Sequence, residues 1–104
     1  MTKPLEGVRI IDLTHMLSGP YAGMLLADLG AESIKVEPLK GEGTRSLLAK
    51  DPRNSYNGHG AYFLTLNRNK KSVCIDLKSE AGLQPFYDLV KDHDIVLDNF
   101  SAGV

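Results

Sequence analysis

The first thirty-seven residues carry a β-branched run, a helical period and an alternating run in that order, and this succession constrains the fold more than any other feature. Val8 to Leu13 reads Val-Arg-Ile-Ile-Asp-Leu between Gly7 and the polar Thr14-His15, the pattern of a short buried strand. Ser18-Gly19-Pro20 then offers a cap and a residue whose fixed φ suits a first helical turn. Tyr21, Ala22, Leu25, Leu26 and Leu29 follow at helical spacing until Gly30 closes the helix. Glu32 to Glu37 sets Ser33, Lys35 and Glu37 against Ile34 and Val36, the period of a second strand. Strand, helix and strand in about thirty residues predict a parallel pair joined by a right-handed crossover.

Beyond Pro38 the pattern fails until Gly60, and residues 38–60 read as one long loop with Leu47-Leu48 as its apolar pair. Tyr62 to Leu66 and Val73 to Leu77 read as strands joined by Asn67-Arg68-Asn69-Lys70-Lys71-Ser72. Ser79 and Glu80 open a second helix with Leu83, Phe86, Tyr87, Leu89 and Val90 inward, which Pro85 must delay or kink. Asp94 to Leu97 returns to strand. The order β-α-β-loop-β-β-α-β predicts an α/β fold, a mostly parallel sheet flanked by helices.

Composition narrows the partners. The 104 residues make one domain, able to bury about 65% of its unfolded surface. Hydrophobic residues at 42%, together with ten glycines, exclude disorder throughout. Twelve Lys and Arg against thirteen Asp and Glu leave a net charge of −1 with no basic block, which argues against nucleic acid as the main partner. The longest apolar stretches, Gly23 to Leu26 and Ala61 to Leu64, fall far short of the ~18 residues of a membrane span, so no membrane is expected. Cys74 is the one cysteine and the N-terminus lacks a basic-then-apolar leader, which fits a reducing cytoplasm.

Ligands of open α/β sheets sit beyond the carboxyl ends of the strands, which selects Thr14 to Pro20, Glu37 to Gly43, Leu77 to Ser79 and Asn99 to Gly103. Ser18 and Gly19 at a helix N-terminus are compatible with an anion site, and equally with a plain cap. Glu37 stands where a dinucleotide fold places its ribose carboxylate, but the single Gly between Thr14 and Pro20 excludes a Gly-x-Gly-x-x-Gly site. Arg68, Lys70, Lys71 and Lys78 are either a phosphate-binding cluster or a solvated face. Lys78 is distinguished by lying between a strand and a helix N-terminus. His15, at a strand end, is a positioned acid, a backbone-bonding side chain or an incidental surface residue. His15, His59, His93 and Cys74 lack metal-ligand spacing, so no metal is expected. Cys74 reads as a buried, inert thiol, and Tyr62, Phe63, Phe86 and Tyr87 as core.

Several motifs in register resemble the opening of the class III CoA-transferases, the family of formyl-CoA transferase, carnitine CoA-transferase and α-methylacyl-CoA racemase. They are Leu5-Glu6-Gly7-Val8-Arg9-Ile10-Ile11-Asp12-Leu13-Thr14, Ser18-Gly19-Pro20, Leu26-Ala27-Asp28-Leu29-Gly30-Ala31 and Ile34-Lys35-Val36-Glu37-Pro38. Asn67-Arg68-Asn69-Lys70-Lys71-Ser72, Ile75-Asp76-Leu77-Lys78 and Asp98-Asn99-Phe100 continue the series. The resemblance spans nearly the whole chain and implies a Rossmann-like domain, two interlocking chains, and CoA transfer between carboxylic acids or isomerisation of an acyl-CoA. It implies a nucleophilic Asp that attacks the thioester, in a region beyond the part matched here. No catalytic residue is therefore assigned.

By the same resemblance, CoA contacts fall on Leu17 and Ser18, on Ile75, Asp76, Leu77 and Lys78, and on Asn99, Phe100 and Ser101, with His15 beside them. Ile75 and Phe100 would shelve the adenine and Lys78 would meet a phosphate. Pro38 replaces an Arg of formyl-CoA transferase, a loss for which Arg45 is the candidate substitute. Leu17 replaces a Gln of that enzyme, which argues against formyl-CoA and oxalate as the specific pair. The resemblance makes residues 1–104 a truncated N-terminal fragment, inactive alone, binding CoA or acyl-CoA. Its uncovered apolar surface would favour a homo-oligomer or a complementing chain. The alternative is a free-standing α/β binding or interaction module, dimeric and without turnover.

Overall fold

A computed structural model describes residues 2–104. Strand β1 (Arg9–Asp12) leads through helix α1 (Ser18–Asp28) to β2 (Glu32–Glu37). A 3-10 turn (Gly43–Arg45) and a small hairpin, β3 (Ser55–Tyr56) with β4 (His59–Gly60), occupy the segment read as a loop. Helix α2 (Ala61–Leu66), β5 (Lys70–Cys74), α3 (Glu80–Lys91) and β6 (Ile95–Leu97) complete the chain. The four long strands form one sheet in the order β5-β2-β1-β6, and every pairing in it is parallel. Each crossover therefore needs a helix, which α1, α2 and α3 supply in turn.

The two faces of this sheet are chemically different. On one, Ile11, Val36 and Ile75 are buried, and Leu13, Val73, Leu77, Phe86, Leu89 and Val90 pack against them, so α3 covers an apolar core. On the other, Ile10 is fully buried beside Asp12, Ser33, Lys35 and Glu37, none more than 2% exposed. The alternation that makes Glu32 to Glu37 legible as a strand suggests a wet polar face. A central parallel strand is instead covered on both faces, and its charges are matched internally.

That polar face turns α1 around. Its buried residues are Gly19, Pro20, Gly23, Met24 and Ala27, while Tyr21, Leu25 and Leu29 of the apolar run at helical spacing remain 44–50% exposed. Small residues let the helix lie against ion pairs; a Cβ on Gly23 would stand 2.6 Å from the Asp12 carboxylate. Ser18 does not cap α1. The N-cap is Leu17, without a side-chain hydrogen bond. Gly30 ends the turn as expected, at φ +109°, which favours glycine.

Tyr62 to Leu66 is helix, not strand. Phe63 and Leu66, three residues apart, are its buried side chains, and the Asn67 amide donates to the Phe63 carbonyl at its end. A short apolar run fits either period, and the parallel topology decides for helix. Strand β5 begins three residues before the expected Val73, because Lys70 is drawn inward to Asp12. Cys74 is consequently the last residue of β5 and exposed, contrary to the buried reading. Helix α3 runs unbroken past Pro85, and Tyr87, expected inward, is 52% exposed. Ser79 caps α3, accepting from the Gly82 N–H at 3.0 Å. Ser79→Ala is expected to lower stability by about 1 kcal/mol, read as a shifted urea midpoint at constant m-value.

Candidate functional site

Beyond the carboxyl ends of β1, β2 and β5 lies a cleft of about 670 Å³. Leu13, Thr14 and His15 from the end of β1, Val36 to Pro38 from β2, Glu42 and Gly43, Ile75 to Lys78 after β5, and Phe100 and Val104 form its walls. Its interior is largely aliphatic, and its polar groups are few and fixed. The Asp76 carboxylate accepts the Lys78 N–H at 3.0 Å, and its carbonyl accepts from Ser79, a turn that presents the exposed Lys78 beside the N-terminus of α3. The Asp98 carboxylate does the same for the Phe100 N–H at 3.1 Å.

His15 is exposed, with its ring edge-on to Phe100 at 5.7 Å between centroids. Its backbone N–H donates to Asn99 Oδ1 at 3.0 Å, and its carbonyl accepts from Asn99 Nδ2 at 2.9 Å. The structure thus gathers His15, Ile75, Asp76, Leu77, Lys78 and Phe100 around one cleft, with Asn99 behind His15. Leu17, Ser18 and Ser101 are not among its lining residues. Gly19 supports the protein itself rather than a ligand, since a Cβ there would meet Thr14 at 2.5 Å and Asn99 at 3.0 Å.

Beneath the cleft runs a buried chain of charges. Lys70 Nζ lies 2.8 Å from Asp12 Oδ2 and donates to the Pro20 carbonyl and to Asn67. Burial lowers the Lys70 ammonium from its ordinary value, and the bond and charge of Asp12 oppose that fall. Asp12 Oδ1 accepts from the Thr14 N–H and hydroxyl. Lys35 Nζ donates to the Thr14 carbonyl at 2.9 Å and sits 3.3 Å from Glu42. Thr14 and Glu42 lie in the segments selected from the sequence, but their buried bonds and the part of Lys35 were not legible there, because a strand's alternating lysine and a loop glutamate both read as solvated.

Glu37 is not available to a ribose. Its oxygens accept from Arg45 Nε at 2.6 Å, Arg45 Nη2 at 2.7 Å, the Glu42 N–H at 2.8 Å and the Ser72 hydroxyl. Burial alone would raise this carboxyl. The bonds from Arg45, Ser72 and Glu42, with the guanidinium charge, outweigh it and hold Glu37 at about 2. Arg45 is committed to Glu37 and lies 3.9 Å over the Phe63 ring, so it does not stand in for the Arg missing at Pro38. The basic cluster also separates: Arg68 pairs with Asp28 at 2.6 Å, Lys70 with Asp12, and Lys71 with Glu32 at 3.8 Å. Of those four cations, Lys78 is the one that lines the cleft.

A parallel sheet with a cleft at a shared strand end has the layout in which open α/β sheets hold their ligands. CoA-transferase family III is matched over residues 5–104, and the chain belongs to that family. It is 46% identical over 102 residues to succinyl-CoA:glutarate CoA-transferase of Mus musculus, covering 97% of this chain and 22% of that protein. It is equally 46% identical, over 105 residues, to formyl-CoA:oxalate CoA-transferase of Bradyrhizobium sp. strain ORS 278, covering 100% and 24%. The crystal structure of a CAIB/BAIF family protein from Brucella suis superposes with a TM-score of 0.87 at 37% identity, over 99% of this chain and 27% of that one. The chain spans about a quarter of the length of these relatives. Among the described residues no helix is long and apolar enough to cross a membrane.

Proposed function

We propose that this chain supplies the CoA-binding part of a family III acyl-CoA transferase, and that the cleft at the ends of β1, β2 and β5 takes the nucleotide end of CoA or acyl-CoA. The observation that carries this reading is the convergence of an aliphatic floor, the His15–Phe100 ring pair and the exposed cation Lys78 in one space. Ile75 and Phe100 offer a surface to adenine, and Lys78 with the N–H groups that open α3 offers charge and donors to a phosphate. No residue of this chain is assigned as the nucleophile. The buried carboxylates Asp12, Glu37 and Glu42 are each paired with a cation, and a carboxylate so held is a poor attacking group. The acids exchanged stay open, since relatives that act on glutarate and on oxalate are equally similar.

Calorimetric titration with CoA, with 3′-dephospho-CoA as comparison, tests the reading. Saturable binding is expected, weaker for the dephosphorylated ligand. Lys78→Ala should reduce CoA affinity by about 1.5–3 kcal/mol, the worth of one charged contact, without changing the melting temperature. Absence of heat at millimolar CoA would sink the assignment. A second reading, a dimeric binding module, is favoured by one observation: Tyr21, Leu25 and Leu29 form an exposed apolar stripe along α1. Sedimentation velocity over a hundredfold concentration range separates the two, and a strict monomer would remove the dimer.

A further inference from the structure

We propose that Asn99 acts in this cleft as a positioning residue, clamping the backbone of His15 and thereby holding the His15 ring against Phe100, rather than touching the ligand through its amide. Both ends of that amide are already used: Oδ1 accepts the His15 N–H at 3.0 Å and Nδ2 donates to the His15 carbonyl at 2.9 Å. The two partners are eighty-four positions apart in the chain, so the clamp ties the loop after β1 to the loop after β6. A single amide that satisfies both backbone groups of one residue fixes that residue's orientation in a way a single bond does not.

The clamp also bears on backbone strain. Met16, immediately after His15, has φ +65°, the left-handed region that a long side chain adopts only when its surroundings impose it. Helix α1 begins against the same amide, where Gly19 leaves no room for a Cβ beside Asn99. Phe100 is fixed independently by Asp98. With its neighbour on one side strained and its ring partner on the other anchored, His15 is placed at the cleft by Asn99. Loss of the clamp should let Met16 relax to negative φ and swing the His15 ring away.

The consequence for binding rests on the reading of the cleft as a CoA site; the consequence for the rings does not. In the ligand-free protein, ring protons of His15 and Phe100 should show a nuclear Overhauser contact. Asn99→Ala should abolish that contact, weaken CoA about tenfold and leave the protein folded. Asn99→Asp retains the acceptor and loses the donor, and should keep part of the ring contact. An unchanged ring contact and unchanged affinity in Asn99→Ala would overturn the proposal. Failure of both variants to fold would overturn it too, by making Asn99 a residue of stability alone. A parent protein that binds no CoA would refute the cleft assignment, and the ring contact would then decide the clamp by itself.

Discussion

Asp12→Ala is expected to destabilise the protein by about 3–5 kcal/mol, a large share of the roughly 5–15 kcal/mol that holds a domain of this size together. Asp12 is completely buried and the Lys70 side chain is 1% exposed, so removing the carboxylate leaves an ammonium in the interior with only neutral partners. It also frees the Thr14 N–H and hydroxyl, which shape the cleft floor. Adding Lys70→Met to Asp12→Ala should recover much of the loss, because the double variant leaves no unpaired charge in the interior. Urea unfolding of the two single variants and the double variant measures the coupling directly. Additive losses, or a single-variant loss below about 1 kcal/mol, would mean that water reaches the pair and that it is not the internal tie described here.

Acid should weaken the fold through Glu37. Its carboxyl is held at about 2 in the folded protein against an ordinary 4.5, so the unfolded chain binds that proton more tightly than the native one. The stabilisation is then complete above pH 4.5 and is lost as the pH falls towards 2, about 3 kcal/mol in total. Glu37→Gln removes this titration while keeping the side chain's shape. Urea midpoints from pH 2 to 6 should fall steeply for the parent and more shallowly for the variant, which starts lower because Arg45 has lost its carboxylate. The half-buried Asp28 and Asp51 carboxyls, also lowered by their partners, titrate in both proteins and cancel in the comparison. Parallel curves would show that Glu37 is not the acid-sensitive group.

Both effects arise from the side of the sheet that is least legible in the sequence. Ser33, Lys35 and Glu37 alternate with Ile34 and Val36, and period two correctly marks a strand. The period says which residues share a face, and nothing in it says whether that face is wet. Lys70 posed the same difficulty, lying in a run of polar residues that reads as a turn and proves to start β5. The cleft was more accessible to reasoning from sequence, since the rule that ligands sit beyond the carboxyl ends of strands needs only the strands. It selected the segments that hold His15, Lys78 and Phe100, and those that hold Thr14 and Glu42, but not the buried bonds of the last two, which depend on which loops meet.

The order of patterns from Val8 to Glu37, the cap at Ser79 and the strand at Ile95 were enough to determine an α/β chain with loops at the strand ends around Thr14, Lys78 and Asn99. Short-range steric preferences and hydrophobic periods act within a few residues and are written locally. The helical state of Tyr62 to Leu66, the outward stripe of Tyr21, Leu25 and Leu29, and the pairing of Lys70 with Asp12 and Arg45 with Glu37 were decided by the tertiary structure. The first follows from the parallel topology; the others are a competition between burying a charge with its partner and burying an apolar side chain. The partners stand eight to fifty-eight positions apart, and only the folded chain brings them into range.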